Sequence, residues 1–183
     1  MNTAIQNSRE VDGLKTLIII PAFNEREAIV PFVQELQAVC PGCDYVVIND
    51  CSRDDTEALC RAIGFPTVSL PVNLGIGGAV QTGYLYALQN GYDIAVQMDG
   101  DGQHDPRDLQ ALLAPILRGE ADLAVGSRFL TGAGFQSTAM RRLGIGILRG
   151  AIRLRTGHTV TDPTSGFRAA NRRVIELFAR DYA

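Results

Sequence analysis

Two aspartates separated by one glycine, Asp99 and Asp101, are the residues of this chain best suited to hold a metal ion. Their carboxylates can face one hard cation from the same turn, and Gln103 offers a neutral oxygen two residues further on. Oxygen ligands of this kind favour Mg²⁺ or Mn²⁺ over Zn²⁺. Taken alone, however, Asp-Gly-Asp is more often a turn closed by side-chain hydrogen bonds. A metal site therefore requires support from the residues around the turn.

Two other ligand-binding motifs do not fit. A calcium loop of the EF-hand type, counted from Asp99, would place Pro106 at its eighth position and Gln110 where a bidentate acid belongs. The glycine-rich segment 73–83 lacks the third glycine of the dinucleotide fingerprint. Its glycines, Gly77 among them, can still let a ligand approach the backbone, although close helix packing explains them equally well.

Short apolar runs rich in β-branched residues alternate with segments of helical periodicity. Such runs predict strands buried on both faces, and the alternation predicts an α/β fold with a mostly parallel sheet flanked by helices. The chain length suits one compact domain. The predicted strands are residues 16–20, 45–48, 67–70, 94–98 and 122–125; the predicted helices are residues 25–39 with Asn24 as cap, 52–63 with its preceding loop, 77–89, and a segment from Pro106 to near Gly119.

Polar residues follow four of these predicted strands. Ligands of open parallel sheets bind beyond the carboxyl ends of the strands, so we expect the polar residues to meet at one edge. This convergence strengthens the assignment of a metal site to the turn at Asp99. The four polar segments are residues 21–25, 49–52, 99–105 and 126–128.

Charge and hydropathy limit the classes of function. The net charge of −3 provides no general attraction to nucleic acid. No apolar segment approaches the roughly 20 residues that span a bilayer, and the N-terminus lacks the apolar core of a signal peptide. These features predict a cytoplasmic, non-spanning protein. Residues 123–160 nevertheless contain six arginines and no acid.

The four cysteines lie within a short part of the chain. Cys40 and Cys43 have the spacing of half a zinc site or of a redox pair, but Cys51 and Cys60 do not form the second close pair that zinc would need. The pattern favours small reduced thiols over a metal site, a redox pair or a disulfide framework.

Six segments together resemble the family 2 glycosyltransferases, and most closely the polyprenyl- and dolichyl-phosphate sugar synthases. They are PAFNE (21–25), NDCSRDDT (49–56), NLGIGGAVQTGY (73–84), QMDGDGQHDP (97–106), GSRF (126–129) and DPTSGFRAANR (162–172). The resemblance implies a GT-A fold, a nucleotide-diphosphate-sugar donor such as a UDP- or GDP-hexose, and a divalent metal, Mn²⁺ or Mg²⁺. It also implies inversion at the anomeric carbon.

The resemblance further implies roles for individual residues. The nucleotide sugar would be bound by Pro21, Ala22, Asn24, Glu25, Asp50, Gly77 and Asp99, with Asp50 at the base or ribose. The metal would be held by Asp99, Asp101 and Gln103, with Asp101 the firmer ligand. The acceptor phosphate would be contacted by Arg128, Ser165 and Arg168. The residues implied for catalysis are Asp101, Arg128 and Asp162.

The chemical nature of the acceptor determines whether the protein must supply a general base. A phosphate acceptor is already an anionic nucleophile near neutral pH, so it needs positioning more than a general base. A sugar hydroxyl would need a carboxylate, for which Asp162 is the candidate, although capping of a turn explains Asp162 at least as well.

The expected function is transfer of a hexose from the nucleotide sugar to polyprenyl phosphate. One alternative is a glycosyltransferase with a hydroxyl or glycolipid acceptor in polysaccharide or cell-envelope synthesis, and another is a catalytically incomplete nucleotide-sugar-binding module. A nucleotidyltransferase is disfavoured because residues 21–25 replace its glycine- and lysine-rich first loop.

The resemblance suggests a division of the chain into an N-terminal tail, residues 1–15, and a single GT-A domain, residues 16–183. Residues 16–128 would form the nucleotide-sugar half, and residues 129–183 would face the acceptor and the membrane. Arginines and apolar residues alternate in residues 141–155, which suits peripheral contact with the inner face of the cytoplasmic membrane as well as it suits a solvated basic face. Family members continue beyond the point where this chain stops, so a truncated C-terminus is expected.

Overall fold

The structure is a computed structural model that describes residues 10–11, 13–100, 105–126, 146, 150, 153–155, 157, 162 and 165–182. Strands and helices alternate through most of this range. The strands are β1 (Glu10–Val11), β2 (Leu14–Ala22), β3 (Asp44–Asn49), β4 (Thr67–Ser69), β5 (Ile94–Gln97), β6 (Leu123–Val125) and β7 (Arg168–Asn171). The helices are α1 (Ile29–Val39), α2 (Thr56–Ile63), α3 (Gly75–Gln89), α4 (Leu109–Leu117), preceded by a 3₁₀ turn at Pro106–Asp108, and α5 (Arg172–Arg180).

The sheet has the strand order β4-β3-β2-β5-β7-β6, with β1 paired to β2 as a short hairpin. Strands β4, β3, β2 and β5 are parallel, whereas β7 is antiparallel to both β5 and β6. The predicted α/β fold with a mostly parallel sheet is confirmed. Strand β7 was not predicted, and β1 lies inside the segment that the sequence suggested as a tail.

Both faces of the sheet are covered by helices, which explains the uninterrupted apolar run in β2. Leu17 and Ile19 pack on one face with α3 and α5, while Ile18 and Ile20 pack on the other with α1, α2 and α4. All four side chains have 0% exposure. A strand buried on both sides has no polar face, so its sequence shows no alternation.

The strand order places a ligand crevice beside β2. From β2 the chain proceeds outward through β3 to β4, and then returns through α3 to β5 on the opposite side of β2. Neighbouring strands whose connections leave in opposite directions open a crevice at their carboxyl ends. The polar segments after β2, β3 and β5 therefore share one edge.

The first helix begins later than predicted. Helix α1 starts at Ile29, and the residue that precedes it is Ala28, which provides no side-chain cap. Asn24 has a φ of 57°, a left-handed conformation that asparagine tolerates better than most residues. The prediction that Asn24 caps this helix was wrong, because its side chain bonds the loop after β3 instead.

The expectation of four reduced cysteines was also wrong. Cys40 and Cys43 form a disulfide in the turn between α1 and β3. The turn brings their Cα atoms to 5.5 Å, a separation that a disulfide spans. Cys51 and the buried Cys60 are free thiols.

Within the described residues, no helix combines the length and the apolar character needed to cross a bilayer.

Candidate functional site

The loops that follow β2 and β3 are joined by hydrogen bonds. Pro21 and Ala22 are buried at the end of β2, where Ala22 pairs with Asn49 of β3. The backbone N–H of Asn24 donates to Oγ of Ser52 at 3.0 Å, and Oδ1 of Asn24 accepts from the backbone N–H of Arg53 at 2.8 Å. These two bonds hold Asn24 in its left-handed conformation.

Glu25 continues this connection between the two loops. Its backbone N–H donates to Oγ1 of Thr56 at 3.0 Å, and Thr56 is fully buried at the start of α2. Residues 21–25 are therefore fixed along their length against residues 49–56, as the predicted convergence requires.

Asp50 connects three loops at the end of β3. Its Oδ1 accepts from the backbone N–H of Leu74 at 2.7 Å, and its own N–H donates to the carbonyl oxygen of Ala22 at 2.9 Å. The side chain of Asn73 donates to the carbonyl oxygen of Asp50 at 3.1 Å. Asp50 is only 3% exposed. Its second oxygen, Oδ2, has no hydrogen-bond partner in the described part of the chain.

The glycines of the segment 73–83 have different structural roles. A methyl group on Gly83 would overlap Ile19 of β2, and one on Gly78 would overlap Leu74, so close packing explains both residues. Among the described residues, no atom would lie within 4 Å of a methyl group on Gly77. Close packing therefore does not explain Gly77, which lies in the first turn of α3.

Asp99 is held from two sides just beyond β5. Nε2 of Gln97 donates to Oδ1 of Asp99 at 3.2 Å. On the other side, the backbone of Gly166 lies so close that a methyl group there would overlap Oδ2 of Asp99. Asp99 itself is half-buried.

The glycine that separates the two aspartates has a packing role. A methyl group on Gly100 would lie 3.3 Å from Cγ2 of Ile20 and 3.8 Å from the carbonyl oxygen of Pro21. Gly100 therefore allows the turn after β5 to lie directly against the end of β2. This contact places Asp99 beside the segment that begins at Pro21.

The turn before β7 lies beside Asp99 and contains two predicted site residues, Asp162 and Ser165, and a third, Arg168, is the first residue of β7. Asp162 and Ser165 are both fully buried. The backbone N–H of Ser165 donates to the carbonyl oxygen of Asp162 at 3.3 Å, and its hydroxyl accepts from the N–H of Phe167 at 3.2 Å. Nε of Arg168 donates to the carbonyl oxygen of Ser165 at 2.7 Å, and Arg168 pairs with Gln97 across β7 and β5.

Three predicted residues, Asp101, Gln103 and Arg128, lie outside the described residues, as does most of the basic segment 141–155. In the part of the chain that is described, no group of three or more His, Cys, Asp or Glu side chains is arranged to hold a metal. The metal ligands therefore stay a prediction, with Asp99 as the one whose surroundings are known.

Gln97, Gly166 and Tyr182 also contribute to this arrangement, and none of them was among the predicted site residues. The phenol of Tyr182 donates to Oε1 of Gln97 at 3.3 Å, so the two side chains extend the hydrogen bonds of Asp99 to the end of α5. A polar residue in the apolar strand 94–98 was a signal for Gln97, since a buried amide needs partners. Tyr182 gave no comparable local signal.

Comparison with known proteins identifies the family. A family model described as Glycosyl transferase family 2 matches residues 17–178. The chain belongs to glycosyl transferase family 2. The chain is 34% identical over 169 residues to the polyprenol monophosphomannose synthase of Mycolicibacterium smegmatis, covering 88% of this chain and 63% of the relative. It is 35% identical over 163 residues to the undecaprenyl-phosphate mannosyltransferase of Micrococcus luteus, covering 85% and 66%. The chain thus spans less than two thirds of the length of either relative.

Solved structures confirm the GT-A-like fold of this chain. The crystal structure of glucosyl-3-phosphoglycerate synthase from Mycobacterium tuberculosis in complex with Mn²⁺ and UDP-glucose aligns with a TM-score of 0.69 and 28% identity. The alignment covers 89% of this chain and 58% of that enzyme. The UDP complex of the same enzyme aligns with a TM-score of 0.68.

Proposed function

We propose that this family 2 glycosyltransferase transfers a hexose from a nucleotide-diphosphate sugar to polyprenyl phosphate. The observation that carries the donor half is the convergence of Asn24, Asp50 and Asp99 at one sheet edge, joined by the contacts described above. The acceptor class rests on the two relatives, whose names specify polyprenol and undecaprenyl phosphate.

The nucleoside would lie between the loops after β2 and β3. Asp50 supports this placement because its Oδ1 is used by Leu74, whereas Oδ2 is available to accept from a base N–H or a ribose hydroxyl. The open space at Gly77 would let the donor approach the first turn of α3. The residues assigned to this part of the site are Pro21, Ala22, Asn24, Glu25, Asp50 and Gly77.

Asp99, Asp101 and Gln103 would hold a divalent ion, Mn²⁺ or Mg²⁺. Asp99 fits this role chemically, because its carboxylate supplies hard oxygen ligands and is already oriented by Gln97. When bound there, the ion would neutralise the charge that develops on the departing diphosphate. Arg128 would add a fixed positive charge for the same purpose.

The acceptor phosphate would be oriented by Arg128, Ser165 and Arg168, and residues 129–183 would face the acceptor and the membrane. Burial of Asp162 favours the phosphate acceptor over a sugar hydroxyl. Asp162 is fully buried and its carbonyl oxygen closes the turn with Ser165, which supports a structural role for this aspartate. An anionic acceptor needs no general base, so such a site can work by positioning alone.

Incubation with labelled UDP- and GDP-hexoses, Mn²⁺ and a short-chain polyprenyl phosphate tests the proposal. Label is expected to appear in a mild-acid-labile lipid product, and the matching polyprenol without its phosphate should give none. Label found only in a glycosylated saccharide would contradict the proposal. In that case Asp162→Asn should abolish transfer while leaving donor binding intact, because a hydroxyl acceptor needs a base.

The variant Gly77→Ala distinguishes a role of Gly77 in donor binding from a role in packing. We expect the free energy of unfolding to rise by about 0.5–1 kcal/mol, because alanine suits a helix better than glycine and the methyl group would overlap no atom of the described residues. Affinity for UDP or GDP should fall roughly tenfold, because the methyl group would occupy space needed by the donor. Chemical denaturation and calorimetry measure the two effects.

Gly83→Ala provides the contrast, since its methyl group would overlap Ile19 and should destabilise the fold. Unchanged nucleotide affinity in Gly77→Ala would remove α3 from the donor site.

A further inference from the structure

Gln97 is a buried amide with both ends of its side chain bonded. It is 4% exposed within β5, where its neighbours along the strand are apolar. Its Nε2 donates to Oδ1 of Asp99 at 3.2 Å, and its Oε1 accepts from the phenol of Tyr182 at 3.3 Å. A buried amide without partners costs free energy, and both ends of the Gln97 amide have a partner. The ionised Asp99 carboxylate can only accept, so it takes the NH₂ end of Gln97, and the oxygen end accepts from the phenol of Tyr182.

Tyr182 is held in place by other aromatic rings. Its ring centroid lies 5.7 Å from that of Tyr84 and 5.1 Å from that of Phe178. Burial raises the pKa of Tyr182, the Arg168 guanidinium lowers it, and the Asp99 carboxylate raises it further. The phenol is therefore protonated at neutral pH and remains a donor to Gln97.

The two sides of the Asp99 carboxylate meet different constraints. Oδ1 is bonded by Gln97, and Oδ2 faces the backbone of Gly166. A hydrogen bond to a charged carboxylate is stronger than one between neutral groups, so loss of the Gln97 amide would remove a strong constraint on the orientation of the Asp99 side chain. Groups behind a metal or phosphate site commonly set its affinity in this way.

We infer that Gln97 and Tyr182 are positioning residues that orient Asp99 for metal-dependent binding of the nucleotide diphosphate. The inference rests on the proposed function, since Asp99 is taken as part of the donor site. Through Tyr182, the segment after α5 contributes to donor affinity, although Tyr182 lies 85 residues from Gln97 in the chain.

Calorimetric titration with UDP and GDP, with Mn²⁺ and with EDTA, tests the inference on Tyr182→Phe. Affinity in Mn²⁺ is expected to fall about three- to tenfold, the effect of one lost hydrogen bond, while affinity in EDTA stays unchanged. Tyr84→Phe is the matched control, because its buried hydroxyl has no hydrogen-bond partner among the described residues and its ring belongs to the same cluster. It should bind as the wild type does.

A double-mutant cycle distinguishes positioning through Gln97 from a general effect on packing. Gln97→Met preserves size and removes the amide, so it should lower affinity in Mn²⁺ at least as much as Tyr182→Phe. Adding Tyr182→Phe to Gln97→Met should cause no further loss, because the path to Asp99 is already broken. Thermal unfolding of each variant shows whether it is folded.

Additive losses in the double variant, or wild-type affinity in Tyr182→Phe, would overturn the inference while leaving the proposed function standing. Absence of Mn²⁺-dependent affinity for both nucleotides in the wild type would overturn the proposed function, and the inference with it.

Discussion

Replacing Gly166 with alanine is expected to lower the Mn²⁺-dependent affinity for UDP or GDP by about 10- to 100-fold. The added methyl group would overlap Oδ2 of Asp99, and Gln97 blocks the other side of the carboxylate. Asp99 or the turn before β7 must therefore move. Calorimetry in Mn²⁺ and in EDTA measures the change, and affinity in EDTA should be affected little.

Some loss of stability is expected as well, because overpacking costs about 1–3 kcal/mol. Gly119→Ala is the control for this effect. Gly119 has a φ of 68°, so alanine there is strained, and it precedes β6 at the sheet edge opposite the carboxyl ends of the strands. It should lose stability and keep nucleotide affinity. Equal nucleotide affinity in Gly166→Ala and the wild type would show that Asp99 takes no part in donor binding.

Replacing Asp50 with asparagine should weaken nucleotide binding by about 10- to 100-fold in the presence and in the absence of Mn²⁺. Asparagine can keep the bond from the N–H of Leu74 through Oδ1, so the fold should survive. The second position becomes an NH₂ group, however, which cannot accept from a base N–H or bear the charge. Independence from Mn²⁺ would distinguish this effect from that of Gly166→Ala.

Asp93→Asn is the matched control for Asp50→Asn. Asp93 also accepts a hydrogen bond from a backbone N–H, that of Lys15 at 3.0 Å, but it lies directly before β5, on the opposite edge of the sheet. Its replacement should leave nucleotide affinity unchanged. If Asp50→Asn also bound like the wild type, Asp50 would serve only to hold the loop before α3.

The local sequence pattern was sufficient to predict the strands that are buried on both faces. Strands β2, β3 and β5 are short runs of β-branched and other apolar residues, and each was predicted to within a few residues. Strand β7 was missed because its sequence, Arg-Ala-Ala-Asn, has little intrinsic preference for a strand. It becomes a strand through pairing with β5 and β6, which are both distant in sequence.

The conformation of Asn24 likewise depends on a residue that is distant in sequence. Its position before a helical segment suggested a cap, since a cap depends only on residues nearby. The bond from Arg53, 29 residues away, competes with capping and gives Asn24 its left-handed backbone. The disulfide between Cys40 and Cys43 was likewise decided by the shape of a turn that the sequence pattern did not specify.

The sequence by itself determined the family, the positions of the buried strands along the chain, and the polar residues at their carboxyl ends, including Asp50 and Asp99. These features are local, because neighbouring residues show both the burial of a strand on two faces and the polar character of its end. Tertiary structure decided which residues orient the polar side chains at that edge. Only the antiparallel insertion of β7 beside β5 brings Gly166 against Asp99, and only the packing of α5 on α3 brings Tyr182 to Gln97. Contacts of this kind depend on how elements that are distant in sequence pack together, so the periodicity of the sequence does not predict them.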